Sequence, residues 1–159
     1  MPRIVTRRKT TTTANGTRVV TTSTGDNDNV PEWKIQAEAI RRLKRLPGYG
    51  GEAGPDVTFA IAGDFNSGRR GGQEATKAKA TGLTAGEEDI RVYGAGGKLL
   101  LIEMKGPATP VSADQKKRHA LHRHLGFDVH VVRGKTVDKG ASDVVDIVSK
   151  WLKKISLAA

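Results

Sequence analysis

The chain has 159 residues, room for one domain with a real core and little space for a second. It carries 27 basic residues against 17 acidic ones, and a net charge of +10 points to a polyanionic partner, nucleic acid first, with a merely soluble cationic surface as the alternative. Without cysteine there is no disulfide framework or thiolate zinc site; no apolar run approaches the roughly 20 residues of a membrane span, and the opening Met-Pro-Arg-Ile-Val lacks a signal segment, so a cytoplasmic protein is expected.

Residues 1–30 are rich in Thr, Arg, Asn and Asp. They read either as a flexible basic arm or as a hairpin of strands 4–13 and 18–24 about Ala14-Asn15-Gly16-Thr17. The domain proper is assigned to 31–159. A helix is expected over 31–46, ended by Pro47-Gly48. Helical phasing puts Trp33, Gln36, Ile40 and Leu43 on one side, with Glu32 at its edge. Glu38 falls opposite, among Lys34, Arg41, Arg42 and Arg45. A strand follows over 57–62, and then a long glycine-rich, basic stretch over 63–86, which reads as a functional or mobile loop.

Strands 89–93 and 98–105 form a hairpin about Gly94-Ala95-Gly96-Gly97. Ser112-Ala113-Asp114-Gln115 opens a helix running to Leu125 and stopped by Gly126. A short strand over 128–132 and an amphipathic helix over 142–155 complete the chain. Val144, Val148, Trp151, Leu152 and Ile155 form the apolar side of that helix. The order αβ(loop)ββαβα describes an α/β fold, a mixed β-sheet flanked by helices.

The chemistry concentrates where apolar Leu99-Leu100-Leu101-Ile102 runs into Glu103-Met104-Lys105. Charged groups ending an apolar strand are costly unless paired or metal-bound. A turn centred near 95 or 96 pairs positions whose numbers sum to about 191 or 192, which sets Asp89 opposite Glu103 with Cβ atoms about 5 Å apart. Two carboxylates so close repel and raise a pKa unless a divalent cation lies between them. Oxygen ligands favour Mg²⁺ or Mn²⁺ over zinc. Lys105 shares the strand face of Glu103 and can hold an attacking water or steady charge building on phosphorus. The opposing reading is a surface hairpin with solvated cross-strand pairs.

Gly86-Glu87-Glu88-Asp89-Ile90, Leu101-Ile102-Glu103-Met104-Lys105-Gly106, Ser112-Ala113-Asp114-Gln115 and Gly126-Phe127-Asp128-Val129 together resemble the VRR-NUC (virus-type replication-repair nuclease) family of the PD-(D/E)xK superfamily. Glu32-Trp33-Lys34-Ile35-Gln36 is similar to that family's first helix, Asn66-Ser67-Gly68 to its small polar loop, and the resemblance covers about residues 31–135. Glu88 departs from it, standing where the family usually has Pro.

The resemblance implies a restriction-endonuclease-like core and a Mg²⁺- or Mn²⁺-dependent endonuclease. Asp89, Glu103 and the Met104 backbone carbonyl would bind metal, Glu32 would add an outer carboxylate, Lys105 would be the catalytic lysine and Gln115 would orient water or substrate. It also implies a homodimer cutting branched DNA such as a Holliday junction, in replication, recombination or repair.

Several alternatives stay open on the residues themselves. Gln115 also completes a capping box with Ser112 and needs no other role. Glu87 and Glu88 read as solvated loop charges, with extra metal-shell acids as the rival. His119 and His122, on the side of Gln115, read as solvated or phosphate-contacting rather than as zinc ligands. Ser112 lacks a nucleophile's partners, and glycines 94, 96 and 97 lack the helix that a dinucleotide fingerprint needs. Arg69, Arg70, Lys77, Lys79, Lys116, Lys117 and Arg118 are candidate phosphate contacts; no base-reading motif appears, which favours DNA shape over sequence. Seven aromatic residues (two Trp, two Tyr, three Phe) are too few for serial base stacking. The competing functions are a basic nucleic-acid-binding module without catalysis and a sequence-specific restriction-type nuclease.

Overall fold

The computed structural model describes residues 6–12, 18–24, 30–64 and 72–158. Strands β1 (Thr6–Thr12) and β2 (Arg18–Thr24) pair antiparallel from Thr6↔Thr24 to Thr12↔Arg18. The expected turn at 14–17 lies outside the described residues, as do Arg69 and Arg70.

The body begins with α1 (Glu32–Leu43), entered through Pro31, whose extended backbone and lack of an N–H suit a helix start. Its buried stripe is Ile35, Ala39 and Leu43, which corrects the expected phase. Trp33 stands 54% exposed, with the Lys34 ammonium 5.6 Å from its ring centre. A tryptophan in the first helical turn dominates a phasing estimate, yet the i, i+4, i+8 row of smaller residues is what fits against the sheet. Strand β3 (Phe59–Gly63) follows.

The stretch 63–86 is not a continuous loop: α2 (Gly72–Ala80) lies within it. Between its glycines the segment Glu74-Ala75-Thr76-Lys77-Ala78-Lys79-Ala80 is rich in strong helix formers, and those propensities prevail locally. Strands β4 (Ile90–Gly94) and β5 (Lys98–Lys105) form the hairpin, with Gly96 and Gly97 at positive φ in its turn. Helix α3 (Ala113–His124), strand β6 (Asp128–Arg133) and helix α4 (Val137–Leu157) complete the fold.

The four-stranded sheet has the order β3-β4-β5-β6. The first two pairings are antiparallel, and β5 runs parallel to β6 through the α3 crossover. Central β5 is buried from Leu100 through Lys105, as a strand covered on both faces must be. Alternate residues divide the two faces. Leu100, Ile102 and Met104 join Ile35, Ala39, Leu43, Val144, Val148 and Trp151 in one core beneath α1 and α4. Glu103 faces the other way, toward α3, where the amide of Gln115 meets it.

Helix α4 begins five residues before the expected start, capped by Thr136, whose hydroxyl accepts from the Lys139 N–H. Gly140, inside the helix, is the point where α4 crosses Ile35. A Cβ there would lie 2.4 Å from Ile35 Cγ2 and 3.0 Å from Gly134 Cα. An exposed helical Gly→Ala change normally gains up to about 1 kcal/mol; here overpacking of about 1–3 kcal/mol outweighs it. Gly140→Ala is therefore expected to lower the urea midpoint, and an unchanged or higher midpoint would show that this crossing has slack.

Candidate metal and phosphodiester site

The β4–β5 register runs from Gly94↔Lys98 to Ile90↔Ile102. Both pairs sum to 192 (94 + 98 and 90 + 102), so the next position sets Asp89 against Glu103 as the turn arithmetic requires. Asp89 is not free in that position: its Oδ2 accepts the Met104 N–H at 2.7 Å. That bond fixes the carboxylate across the end of β5.

Glu103 is 1% exposed. Its Oε1 receives Lys105 Nζ at 2.8 Å and Gln115 Nε2 at 2.5 Å. Its Oε2 is buried without a hydrogen-bond partner, and His119 Nε2 stands 3.7 Å away. Lys105 is itself buried, and Glu32 Oε2 lies 3.9 Å from its ammonium. Glu32 Oε1 accepts the Gly106 N–H at 3.1 Å, which ties the first turn of α1 to the end of β5. Glu38 faces outward and pairs with Arg41 and Arg42. Of the two helical carboxylates, the inner one is Glu32.

Gln115 combines two contacts that compete in the sequence. Its backbone N–H reaches Ser112 Oγ at 3.2 Å while its own Oε1 accepts the Ser112 N–H at 3.0 Å, the reciprocal capping box. The cap uses only the amide oxygen, so Nε2 remains to bind Glu103. Helix initiation thereby orients the glutamine toward the strand.

Gly86 explains how the acidic segment comes so close to α3. Its φ is +89°, and a Cβ would lie 2.7 Å from the Asp114 carbonyl oxygen and 2.9 Å from the Gln115 nitrogen. Only glycine permits both the left-handed backbone and this approach. A cavity of about 410 Å³ opens beside it, lined by Asp89, Gln115, Glu87 and, from α2, Lys79. Lys77, Lys79, Lys116 and Lys117 are all exposed.

Glu87, Glu88, His119 and His122 are not solvated, which corrects the expectation for all four. Glu87 is half-buried between Arg91 at 3.2 Å and Arg118, so Arg118 is engaged within the chain. Glu88 is wholly buried, His119 is 2% exposed and His122 7% exposed. Glu88 Oε1 meets His122 Nδ1 at 2.9 Å. Glu87, Glu88 and His122 each bring one potential ligand atom within 4.8 Å of the others. No helical or strand period marks Glu87 or Glu88 as inward; the signal was the i, i+3 spacing of two histidines behind a capped glutamine.

Burial raises the Asp89 carboxyl to about 6, opposed by the Met104 N–H and Lys105. Burial likewise raises Glu103 to about 7, opposed by the Lys105 hydrogen bond, with the Asp89 charge adding to the rise. Both groups favour a proton, or a cation in its place. An unpartnered buried oxygen on Glu103 and oxygen-only donors on both acids suit a divalent ion. Burial also lowers His119, opposed by the Glu88 charge.

No protein-family model matches the chain, and no curated protein matches it. A solved structure described as a VRR_NUC domain protein is similar over 79% of this chain and 90% of its own, with a TM-score of 0.55 and 20% identity. At that identity the likeness establishes the fold. The chain has a VRR-NUC-like fold, a mixed sheet between helices consistent with a nuclease-like core.

The raised carboxyls make a linkage prediction. Between the ordinary carboxylate range and pH 6–7, the folded state holds protons that the unfolded state has released, so stability falls as pH rises through that window. Asp89→Asn keeps an acceptor for the Met104 N–H and removes one charge. In metal-free protein it is expected to raise the melting free energy at pH 7.5 by about 1 kcal/mol or more, with a much smaller gain at pH 4.5. Equal effects at both pH values would contradict the burial argument.

Proposed function

We propose that this VRR-NUC-like fold is a metal-dependent endonuclease that hydrolyses DNA phosphodiester bonds, acting on branched duplex such as a four-way junction. The observation that carries the proposal is the convergence of Asp89, Glu103, Lys105 and Gln115 at the end of β5, with both carboxyls raised by burial. A hydrogen-bonded surface hairpin has no need to bury an acid and a lysine together, because burying an ion pair usually costs more than it returns.

Asp89 and Glu103, with the Met104 carbonyl, are the proposed holders of Mg²⁺ or Mn²⁺, and Glu32 is the outer carboxylate. Such an ion polarises a phosphoryl oxygen and lowers the pKa of a bound water. Lys105 already donates to Glu103, so it can hold a water beside that carboxylate or turn its charge toward the phosphorus. Gln115 keeps Glu103 in one orientation and rests in turn on the helix cap. Lys79 on the cavity wall and Lys77, Lys116 and Lys117 nearby are proposed phosphate contacts, and the +10 charge favours such a partner. Cutting two strands symmetrically with one site per chain requires a two-fold homodimer.

No membrane-crossing helix is found among the described residues. A cytoplasmic setting accords with that and with a DNA substrate, and roles in replication, recombination or repair follow from the branched substrate.

The test uses a labelled four-way junction and linear duplexes with Mg²⁺ or Mn²⁺. Cleavage of the junction is expected only with metal, and Lys105→Ala is expected to reduce it about a hundredfold or more while leaving binding intact. Metal-independent binding without cleavage would support the non-catalytic module instead. Cutting of linear duplex at one defined sequence would support a restriction-type nuclease.

A further inference from the structure

Glu88 is the most deeply buried charge-bearing side chain of the loop before β4, and the site proposed above does not use it. A carboxylate in that position is costly unless it is compensated. His122 Nδ1 satisfies only Oε1. Glu88 Oε2 has no hydrogen-bond partner, and neither has His119 Nε2, which stands 3.8 Å from Glu88 Oε1. Beside them, His122 Nε2 lies 3.9 Å from Glu87 Oε1. In the tautomer with its proton on Nδ1, His119 presents a lone pair on Nε2, which a carboxylate oxygen cannot satisfy. Both call for a donor or a cation.

We propose that Glu88, His119 and His122, with Glu87 at the rim, form a second cation site for a first-row transition ion of the Zn²⁺ type. Two atoms bound at about 2.1 Å to one ion stand about 3.0 Å apart at octahedral angles and about 3.4 Å apart at tetrahedral ones. With one donor atom taken per residue, Glu87, Glu88 and His122 lie within 4.8 Å of one another and His119 Nε2 stands 3.8 Å from Glu88 Oε1, wider than those figures, so an ion would draw the side chains inward. Imidazole donors select a borderline ion over Mg²⁺, which prefers oxygen and keeps its water. The Asp89–Glu103 pair offers oxygen only. The two sites therefore differ in ion preference as well as position, and the second stands whether or not the first cuts DNA. Bound here, the ion would clamp α3, which carries both histidines and Gln115, to the loop entering β4. His119 Nε2 also lies 3.7 Å from Glu103 Oε2, so the clamp borders the buried acid of the first site.

Co²⁺ serves as the visible probe, titrated into the full chain carrying Asp89→Asn with Mg²⁺ in excess. One Co²⁺ per chain, with absorption bands of nitrogen–oxygen ligation and a higher melting temperature, is the expected result. Adding Glu88→Gln or His122→Asn should remove all three signs. No bound Co²⁺, as expected if a buried water fills the gap, would overturn the proposal, and so would binding that survives both substitutions. If those variants do not fold, the unsubstituted cluster answers by NMR. Substoichiometric Co²⁺ should broaden the ring signals of His119 and His122 and spare His124 and His130; broadening of none, or of all four alike, would overturn the assignment.

Discussion

The arrangement depends on a carboxylate held where water cannot reach it. Glu103 ends an apolar strand, almost wholly buried, and its charge is balanced only by what the fold brings to it. Lys105 arrives because it is two residues on along the same strand face. Gln115 arrives because its capping box fixes the first turn of α3, and Asp89 because the hairpin register leaves no other position for it. Each partner is placed by a local rule, and Glu103 is where those rules intersect. With one negative charge from Asp89 and one buried oxygen left unpaired, the group is balanced in protons or cations rather than in protein contacts alone.

The rest of the body supports this position from behind. The opposite face of β5 carries Leu100, Ile102 and Met104 into the core beneath α1 and α4. Alternation along one strand thus separates packing from chemistry. Glu32 links the two faces at the strand end, since its carboxylate caps the Gly106 N–H while approaching Lys105. Removing core volume under β5 would disturb the acids without touching them.

Much of this was legible in the sequence because it rests on short-range rules. Hairpin arithmetic set Asp89 against Glu103, strand alternation set Lys105 beside it, and Ser112-x-x-Gln115 gave the helix start. What was not legible depends on tertiary packing. Trp33 outweighed the smaller Ile35–Ala39–Leu43 row that the sheet selects. The helix expected from Ser142 begins at Val137, and its early turn holds Gly140, whose missing side chain leaves room for Ile35. Flanking glycines hid α2, although its residues are good helix formers. Glu88 reads as a loop charge because nothing local reveals that Gly86 draws the loop onto α3. The buried Glu88–His122 contact joins residues 34 positions apart, beyond the reach of any local rule.

The proposed chemistry requires Asp89 and Glu103 to share a divalent cation. Crystals grown with Mn²⁺ and measured at the manganese absorption edge test it directly. An anomalous peak is expected within coordination distance of both carboxylates, with Gln115 still bound to Glu103. A well-ordered site with no peak there, and Glu103 contacting only Lys105 and Gln115, would contradict it.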